Sequence, residues 1–151
     1  NMAATNYMRA GILRRGFVDK GRLAEFTQRG VEQFDIRGAK PGLAVALLSG
    51  GNMQKVVLAR EFARDPKVLL VCQPTRGLDI GASEFVYSEI LSAADKGNGV
   101  LLISSELSEI FALSDRIAVI YSGRIMQVLT RDDADEETVG ILMNGGKEQA
   151  A

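Results

Sequence analysis

The spacing of apolar positions divides the chain into a first third with helical periodicity and a remainder of alternating strands and helices. Leu23, Phe26 and Phe34 fall near one face of a helix, and Asp19 is placed to cap it. After residue 65, strand, helix, strand, helix and strand follow one another, which is typical of an α/β fold. The 151 residues are enough for one domain or most of one.

Apolar runs and turn residues predict the individual elements. Val68–Cys72 and Val100–Ser104 have the pattern of parallel strands buried on both faces. An amphipathic helix is predicted over Ser83–Lys96, with Gly97 at its end. The apolar stripe of this helix consists of Val86, Ile90 and Ala93. The other predicted elements are a helix over Met53–Arg64, stopped by Asp65-Pro66; a helix over Glu106–Leu113; a hairpin of Ile117–Tyr121 and Ile125–Leu129 around Ser122-Gly123; and a helix opened by Asp132 and Asp133.

Composition excludes several classes of protein and site. The longest apolar run, Leu43–Leu48, is far shorter than the ~20 residues of a membrane span. Cys72 is the only cysteine, so no internal disulfide can form, and the absence of histidine excludes His-based metal sites and Ser-His-Asp triads. Basic residues dominate residues 1–64 and acidic residues dominate 65–151, which fits either two solvated faces or a basic surface that meets anionic lipid or phosphate. No interleaving of arginine with aromatic residues indicates nucleic acid as a partner.

The segment Leu48–Lys55 carries the clearest chemical signal. Gly50 and Gly51 stand just before a predicted helix, where the lack of a Cβ lets backbone N–H groups approach a ligand. Ser49 adds a hydroxyl donor, and the helix N-terminus adds partial positive charge. The pattern therefore indicates a phosphate site, although a capped Gly-Gly turn without a ligand has the same sequence.

Three further segments occur in a specific order after this one. They are Val68–Gln73, Arg76–Asp79 and Ser104-Ser105. Together with Leu48–Lys55 they resemble the Walker B strand, D-loop, switch loop and signature motif of the ATP-binding cassette (ABC) family, and the resemblance runs from about Asn1 to Gly146.

The resemblance implies an α/β fold with a P-loop NTPase-like parallel sheet, preceded by a helical subdomain. We expect the helical subdomain, ending in the signature motif and its helix, over residues 1–64 and the C-terminal part of the α/β core over residues 65–151.

The chain departs from the family pattern where hydrolysis takes place. It has no P-loop, G-x-x-x-x-G-K-S/T, so we expect a C-terminal cassette fragment that lacks the P-loop strand. Cys72 stands where the family has an Asp that helps to hold Mg²⁺, Gln73 replaces the catalytic Glu, and Ser105 replaces the switch His. Cys72 also suits a small apolar core position. We expect no intact catalytic residue, no metal site and no ATP hydrolysis by the fragment alone.

The resemblance implies a role for the motifs that remain. Cassettes of this family dimerise head to tail, and each ATP lies between the P-loop of one cassette and the signature of the other. The residues expected to contribute to such a site are Ser49, Gly50, Gly51, Asn52, Gln54 and Asp79. ATP and its Mg²⁺ would be held mainly by the partner, which is the N-terminal cassette of the same full-length chain or a second copy.

Asn52, in place of the commoner Gln, points to a subfamily. Together with Gln73–Asp79 and Ser114–Tyr121 it resembles importers that fuse two cassettes in one chain and serve simple sugars, such as ribose or galactose, or nucleosides. This implies permease subunits as partners, a position on the cytoplasmic face of the cell membrane, and ATP hydrolysis coupled to import by the full-length protein. A noncatalytic scaffold and a regulatory pseudo-ATPase outside transport are the alternatives. Because a cassette does not contact the solute, its sequence does not identify which solute is imported.

The resemblance also predicts how the fragment behaves alone. The family's P-loop strand lies between the strands that correspond to Val100–Ser104 and Ile117–Tyr121. Without it, unpaired strand edges and apolar faces are exposed, so we expect the isolated fragment to self-associate.

Overall fold

The computed structural model describes residues 1–8, 11–40 and 42–146. The order of its elements confirms the predicted α/β class. In chain order they are β1 (Leu13–Arg14), β2 (Phe17–Val18), α1 (Lys20–Gln33), a 3₁₀ turn (Val45–Leu47), α2 (Gly50–Phe62), β3 (Val68–Cys72), α3 (Ile80–Asp95), β4 (Gly99–Ile103), α4 (Leu107–Leu113), β5 (Arg116–Tyr121), β6 (Arg124–Thr130) and α5 (Glu136–Met143).

The chain forms two compact units. The first consists of residues 1–69 and 74–101, and the second of residues 70–73 and those from 102 onward. Strands β3 and β4 pair with each other, and each is divided between the units. The division into a helical subdomain over 1–64 and an α/β part over 65–151 is a different partition and stays a prediction.

The first unit begins with a hairpin that helical periodicity did not predict. β1 and β2 pair antiparallel, and Arg15 and Gly16 turn the chain with φ of 50° and 83°. The expectation that the whole first third is helical was therefore wrong, because left-handed backbone at two successive residues favours a tight hairpin. The prediction for Asp19 is confirmed: its side chain caps α1 by accepting hydrogen bonds from the N–H groups of Gly21 and Arg22.

Aromatic rings fill the centre of the first unit. The ring of Phe34 meets the rings of Phe62 and Phe85 edge to face, with centroids 6.0 and 5.9 Å apart. Phe34 is fully buried, and these contacts tie the end of α1 to both α2 and α3.

Helix α2 begins at Gly50, three residues before the predicted start at Met53. The two glycines therefore form the first turn of the helix rather than the loop before it, because the Ser49 side chain caps the N-terminus at that point. Helix α3 likewise begins earlier than predicted, at Ile80, because Asp79 caps it. The predicted apolar stripe of α3 is confirmed, since Val86, Ile90 and Ala93 are all buried.

Strands β3 and β4 occur where they were predicted, but their burial differs. Leu69 and Val71 are buried, whereas Val68 and Leu70 are each 69% exposed. Burial on both faces was therefore a wrong expectation for this chain, because a two-stranded sheet packed on one side leaves alternate side chains in solvent. Hydrogen bonds from Gly99 N to Lys67 O and from Gln73 N to Ile103 O run in the same order along both strands, as in a parallel pair.

The second unit is built on the predicted hairpin. β5 and β6 pair antiparallel, and the turn residues Ser122 and Gly123 have φ of 46° and 76°. The helix predicted from Asp132 and Asp133 begins later, at Glu136, because Asp135 caps it while Asp133 bonds Thr130 instead. The core of this unit consists of Ile117, Val119, Leu129, Ala134, Val139 and Leu142.

Within the described residues, no helix has both the length and the apolar character that crossing a membrane requires.

Candidate functional site

Two helix N-termini border one pocket of the first unit. The pocket has a volume of about 440 Å³ and lies between the starts of α2 and α3, each of which brings the positive end of its helix dipole. It is lined by Asp35, Arg37, Ser49, Gly51, Asn52, Lys55, Asp79, Gly81, Ala82 and Phe85. Of the sequence-predicted residues, Ser49, Gly51, Asn52 and Asp79 are thus brought to one place.

Ser49 and Asn52 are bonded to each other within the cap of α2. The Oγ of Ser49 accepts hydrogen bonds from the side-chain Nδ2 of Asn52 at 2.9 Å and from its backbone N at 3.5 Å. The Oδ1 of Asn52 accepts from the backbone N–H of Arg37 at 2.8 Å. Asn52 therefore connects the helix start to the loop that follows α1.

Neither the backbone conformation nor the packing requires glycine at positions 50 and 51. Both lie in the first helical turn, and neither belongs to the residues with a left-handed φ. A Cβ added to Gly50 would meet no atom within 4 Å, and one added to Gly51 would only touch the Cβ of Ala82 at 3.4 Å. The missing side chains instead leave the first N–H groups of the helix, which have no intrahelical partners, open to an approaching anion.

Gln54 and Asp79 organise the other side of the pocket. The Nε2 of Gln54 donates to the carbonyl oxygen of Pro74 at 3.0 Å, which anchors the buried start of the 74–79 segment to α2. Asp79, at the end of this segment, caps α3 by accepting from the N–H of Ala82 at 2.8 Å. Gln54 thus holds the segment that presents Asp79.

Charged side chains that the sequence did not single out complete the pocket wall. The Nζ of Lys55 donates to the backbone oxygen of Asp35 at 3.2 Å and lies 4.5 Å from the centroid of the Phe85 ring. The Nε of Arg37 pairs with the Oδ2 of Asp35 at 3.1 Å. Lys55 lies within the segment Leu48–Lys55, so the sequence could have predicted its place in the pocket wall. Asp35, Arg37 and Phe85 are distant in sequence, and no motif marks them.

The three positions that were predicted to be degenerate, Cys72, Gln73 and Ser105, lie in the second unit. The Nε2 of Gln73 donates to the Oγ of Ser105 at 3.3 Å, so the two residues that the resemblance aligns with a catalytic Glu and a switch His contact each other. Cys72 is exposed, so the interpretation of this thiol as a small core residue was wrong: it falls on the solvent face of β3.

These residues do not fit a metal ion. Among residues 1–8, 11–40 and 42–146, no group of three His, Cys, Asp or Glu side chains is placed to bind one. An amide, a hydroxyl and a lone thiol are weak ligands for Mg²⁺, which prefers carboxylate and phosphate oxygens.

Comparison with known proteins gives consistent relatives, although no family model matches the chain. The nucleoside import ATP-binding protein NupA of Lactococcus lactis is 42% identical over 146 residues, which is 97% of this chain and 29% of the relative. The ribose import ATP-binding protein RbsA of Streptococcus agalactiae is 43% identical over 134 residues, 89% of this chain and 27% of the relative. The chain is similar along most of its length to import ATP-binding proteins of the ATP-binding cassette family. It spans less than a third of the length of these curated ABC relatives.

Solved structures agree on the fold. The dimeric ATP-binding cassette MJ0796 bound to ADP and Pi superposes with a TM-score of 0.65 and 20% identity, over 78% of this chain and 51% of that one. The predicted P-loop NTPase-like α/β fold of an ABC cassette is thereby confirmed.

Proposed function

We propose that this chain is the C-terminal cassette segment of a fused ABC import ATPase and supplies the signature surface to the ATP site of its partner cassette. The observation that carries the proposal is the pocket between the starts of α2 and α3, where the Ser49 hydroxyl and the open first turn of a helix converge. The ATP phosphates, held by the P-loop of the partner, would meet these donors across the interface. Preorganised donors of this kind stabilise the charge that develops during phosphoryl transfer.

The names of the relatives suggest the cargo. Among the similar proteins are import ATP-binding proteins for nucleosides, guanosine, ribose and glucose. We therefore assign this chain to the import of nucleosides or simple sugars, with permease subunits as its membrane partners and the cytoplasmic face of the membrane as its location. The noncatalytic scaffold and the regulatory pseudo-ATPase gain no support from these names.

The second unit would contribute binding without chemistry. Gln73 can orient a water molecule, but its amide has no basic pKa with which to accept a proton. Loss of a general base lowers the rate by about 10²–10⁴-fold, and the residues present do not fit Mg²⁺. ATP hydrolysis would therefore take place at the site that pairs the partner's own catalytic residues with Ser49 and its neighbours.

Substitution of Ser49 in the full-length protein tests the proposal. Ser49→Arg fills the pocket mouth with a long side chain and should nearly abolish ATP hydrolysis. Ser108→Arg places the same side chain on an exposed position of α4 and should leave the rate unchanged. Gln73→Glu should also change little, because Cys72 and Ser105 remain. A near-normal rate of ATP hydrolysis in the Ser49→Arg variant would contradict the proposed function.

A further inference from the structure

The side-chain amide of Asn52 has one possible orientation in this structure. The backbone N–H of Arg37 can only donate, so the Asn52 atom that lies 2.8 Å from it must be the amide oxygen. The nitrogen end is then fixed as well, and it faces the Oγ of Ser49 at 2.9 Å. Asn52 therefore donates to Ser49, and the reverse arrangement would leave the Arg37 N–H facing an NH₂ group.

This arrangement determines what the Ser49 hydroxyl can do. A serine hydroxyl has two acceptor lone pairs and one hydrogen. Both Asn52 nitrogens approach the oxygen from the protein side, the side chain at 2.9 Å and the backbone at 3.5 Å. The hydrogen is left to point away from these donors, and Ser49 is exposed at the border of the pocket.

The loop that contacts Asn52 is itself held by the side chains of Lys55 and Arg37. Asp35, which has a left-handed φ of 42°, accepts from the Lys55 ammonium through its backbone oxygen at 3.2 Å. Its carboxylate pairs with the Arg37 side chain at 3.1 Å. The Lys55 side chain is only 13% exposed. These contacts restrain the loop that places the N–H of Arg37 next to Asn52.

We propose that Asn52 is a positioning residue that makes Ser49 a hydrogen-bond donor toward an anionic phosphate oxygen in the pocket. This inference rests on the proposed function and adds the residue that sets the direction of its principal hydroxyl. The amide oxygen of Asn52 and one of its two side-chain N–H groups are engaged within the protein, so the role inferred for Asn52 is exerted through Ser49.

A double-mutant cycle in the full-length protein tests the inference, with ATP hydrolysis as the readout. The four proteins are the wild type, Ser49→Ala, Asn52→Ala and the double variant. A hydrogen bond to a charged group implies a loss of about 10–100-fold for Ser49→Ala, and a misdirected hydroxyl implies about 5–10-fold for Asn52→Ala. In the Ser49→Ala background, Asn52→Ala should cost less than about twofold, because no hydroxyl remains to be directed.

Two companion variants separate positioning from folding. Gln54→Ala removes the neighbouring amide of the same helix, and its effect should be the same in both Ser49 backgrounds. Asn52→Asp keeps the acceptor for the Arg37 N–H but has no donor, so Ser49 would turn its hydrogen toward the new carboxylate. Its loss should again be larger with Ser49 present than with alanine at that position, and this variant replaces Asn52→Ala should the latter fail to fold.

The outcomes distinguish the two levels of the argument. Unchanged hydrolysis in Ser49→Ala would overturn the proposed function. A loss in Ser49→Ala, combined with an Asn52 effect of equal size in both backgrounds, would overturn the positioning role of Asn52 and leave the proposed function standing. Coupling confined to the Asn52 variants supports the inference.

Discussion

The ammonium group of Lys55 lies 4.5 Å from the centre of the Phe85 ring, so a charge on α2 packs against an aromatic face on α3. The same nitrogen bonds the backbone oxygen of Asp35 at 3.2 Å. One side chain thus joins the three segments that surround the pocket. A cation over an aromatic ring in a largely desolvated site contributes about 1–2 kcal/mol.

We expect Lys55→Met to lower the free energy of unfolding by about 1–2 kcal/mol, because it removes the cation–ring contact and the bond to Asp35 while it keeps the aliphatic stem. Lys55→Arg should retain most of the stability. Urea unfolding measures both, with Lys40→Met at an exposed position as the control. Equal midpoints for Lys55→Met and the control would show that the contact contributes nothing.

A second prediction concerns pH. Hydrogen bonds from the backbone N–H and then the side chain of Thr138 lower the pKa of Asp135 below its usual 3.8. A carboxylate with a depressed folded pKa stabilises the fold above its unfolded pKa, and this contribution is lost as the pH falls through the folded value. The urea midpoint should therefore decline below about pH 4.

Asp135→Asn should remove that part of the decline, because the amide does not titrate, whereas Asp132→Asn at an exposed neighbouring position should preserve it. Identical pH profiles for the wild type and Asp135→Asn would contradict the assignment.

A third prediction concerns nucleotide. The 151-residue chain should bind ATP weakly or not at all, because the loop that cradles the phosphates is absent from its sequence and, under the proposed function, the pocket offers only the surface opposite that loop. Isothermal titration calorimetry measures this directly. Micromolar affinity for ATP would show that the chain contains a complete site.

A fourth prediction concerns self-association. Val68 on β3 and Leu101 on β4 are 69% and 58% exposed, and within the described part of the chain β4 pairs only with β3. Exposed apolar strands with free edges pair readily with a second chain. Light scattering at micromolar concentration should therefore give a mass above the 16.3 kDa of one chain.

Val68→Thr combined with Leu101→Thr should shift the population toward the monomer, since threonine suits a strand and removes apolar surface. Val57→Gln, on the exposed side of α2, should not. A wild-type chain that stays monomeric would refute the expectation.

Local patterns predicted local structure well. The Ser122-Gly123 turn, the Asp19 cap and the Val86, Ile90 and Ala93 stripe all depend on residues close in sequence, and the structure places them as expected.

The exposed face of β3 was missed because an apolar run reports what a strand prefers to contact and not whether a contact is supplied. The pocket wall was missed for a related reason. Arg37 approaches Asn52 from 15 residues away, and its contribution is a backbone N–H, which every residue other than proline has. No side-chain motif can record such a contact.

The contact between Gln73 and Ser105 has a consequence for proton transfer. Neither side chain ionises, so this pair keeps the same charge at every physiological pH and gives up no proton during a cycle. Under the proposed function, this pair would accept no proton from an attacking water, so proton transfer during hydrolysis would depend on the partner's residues alone.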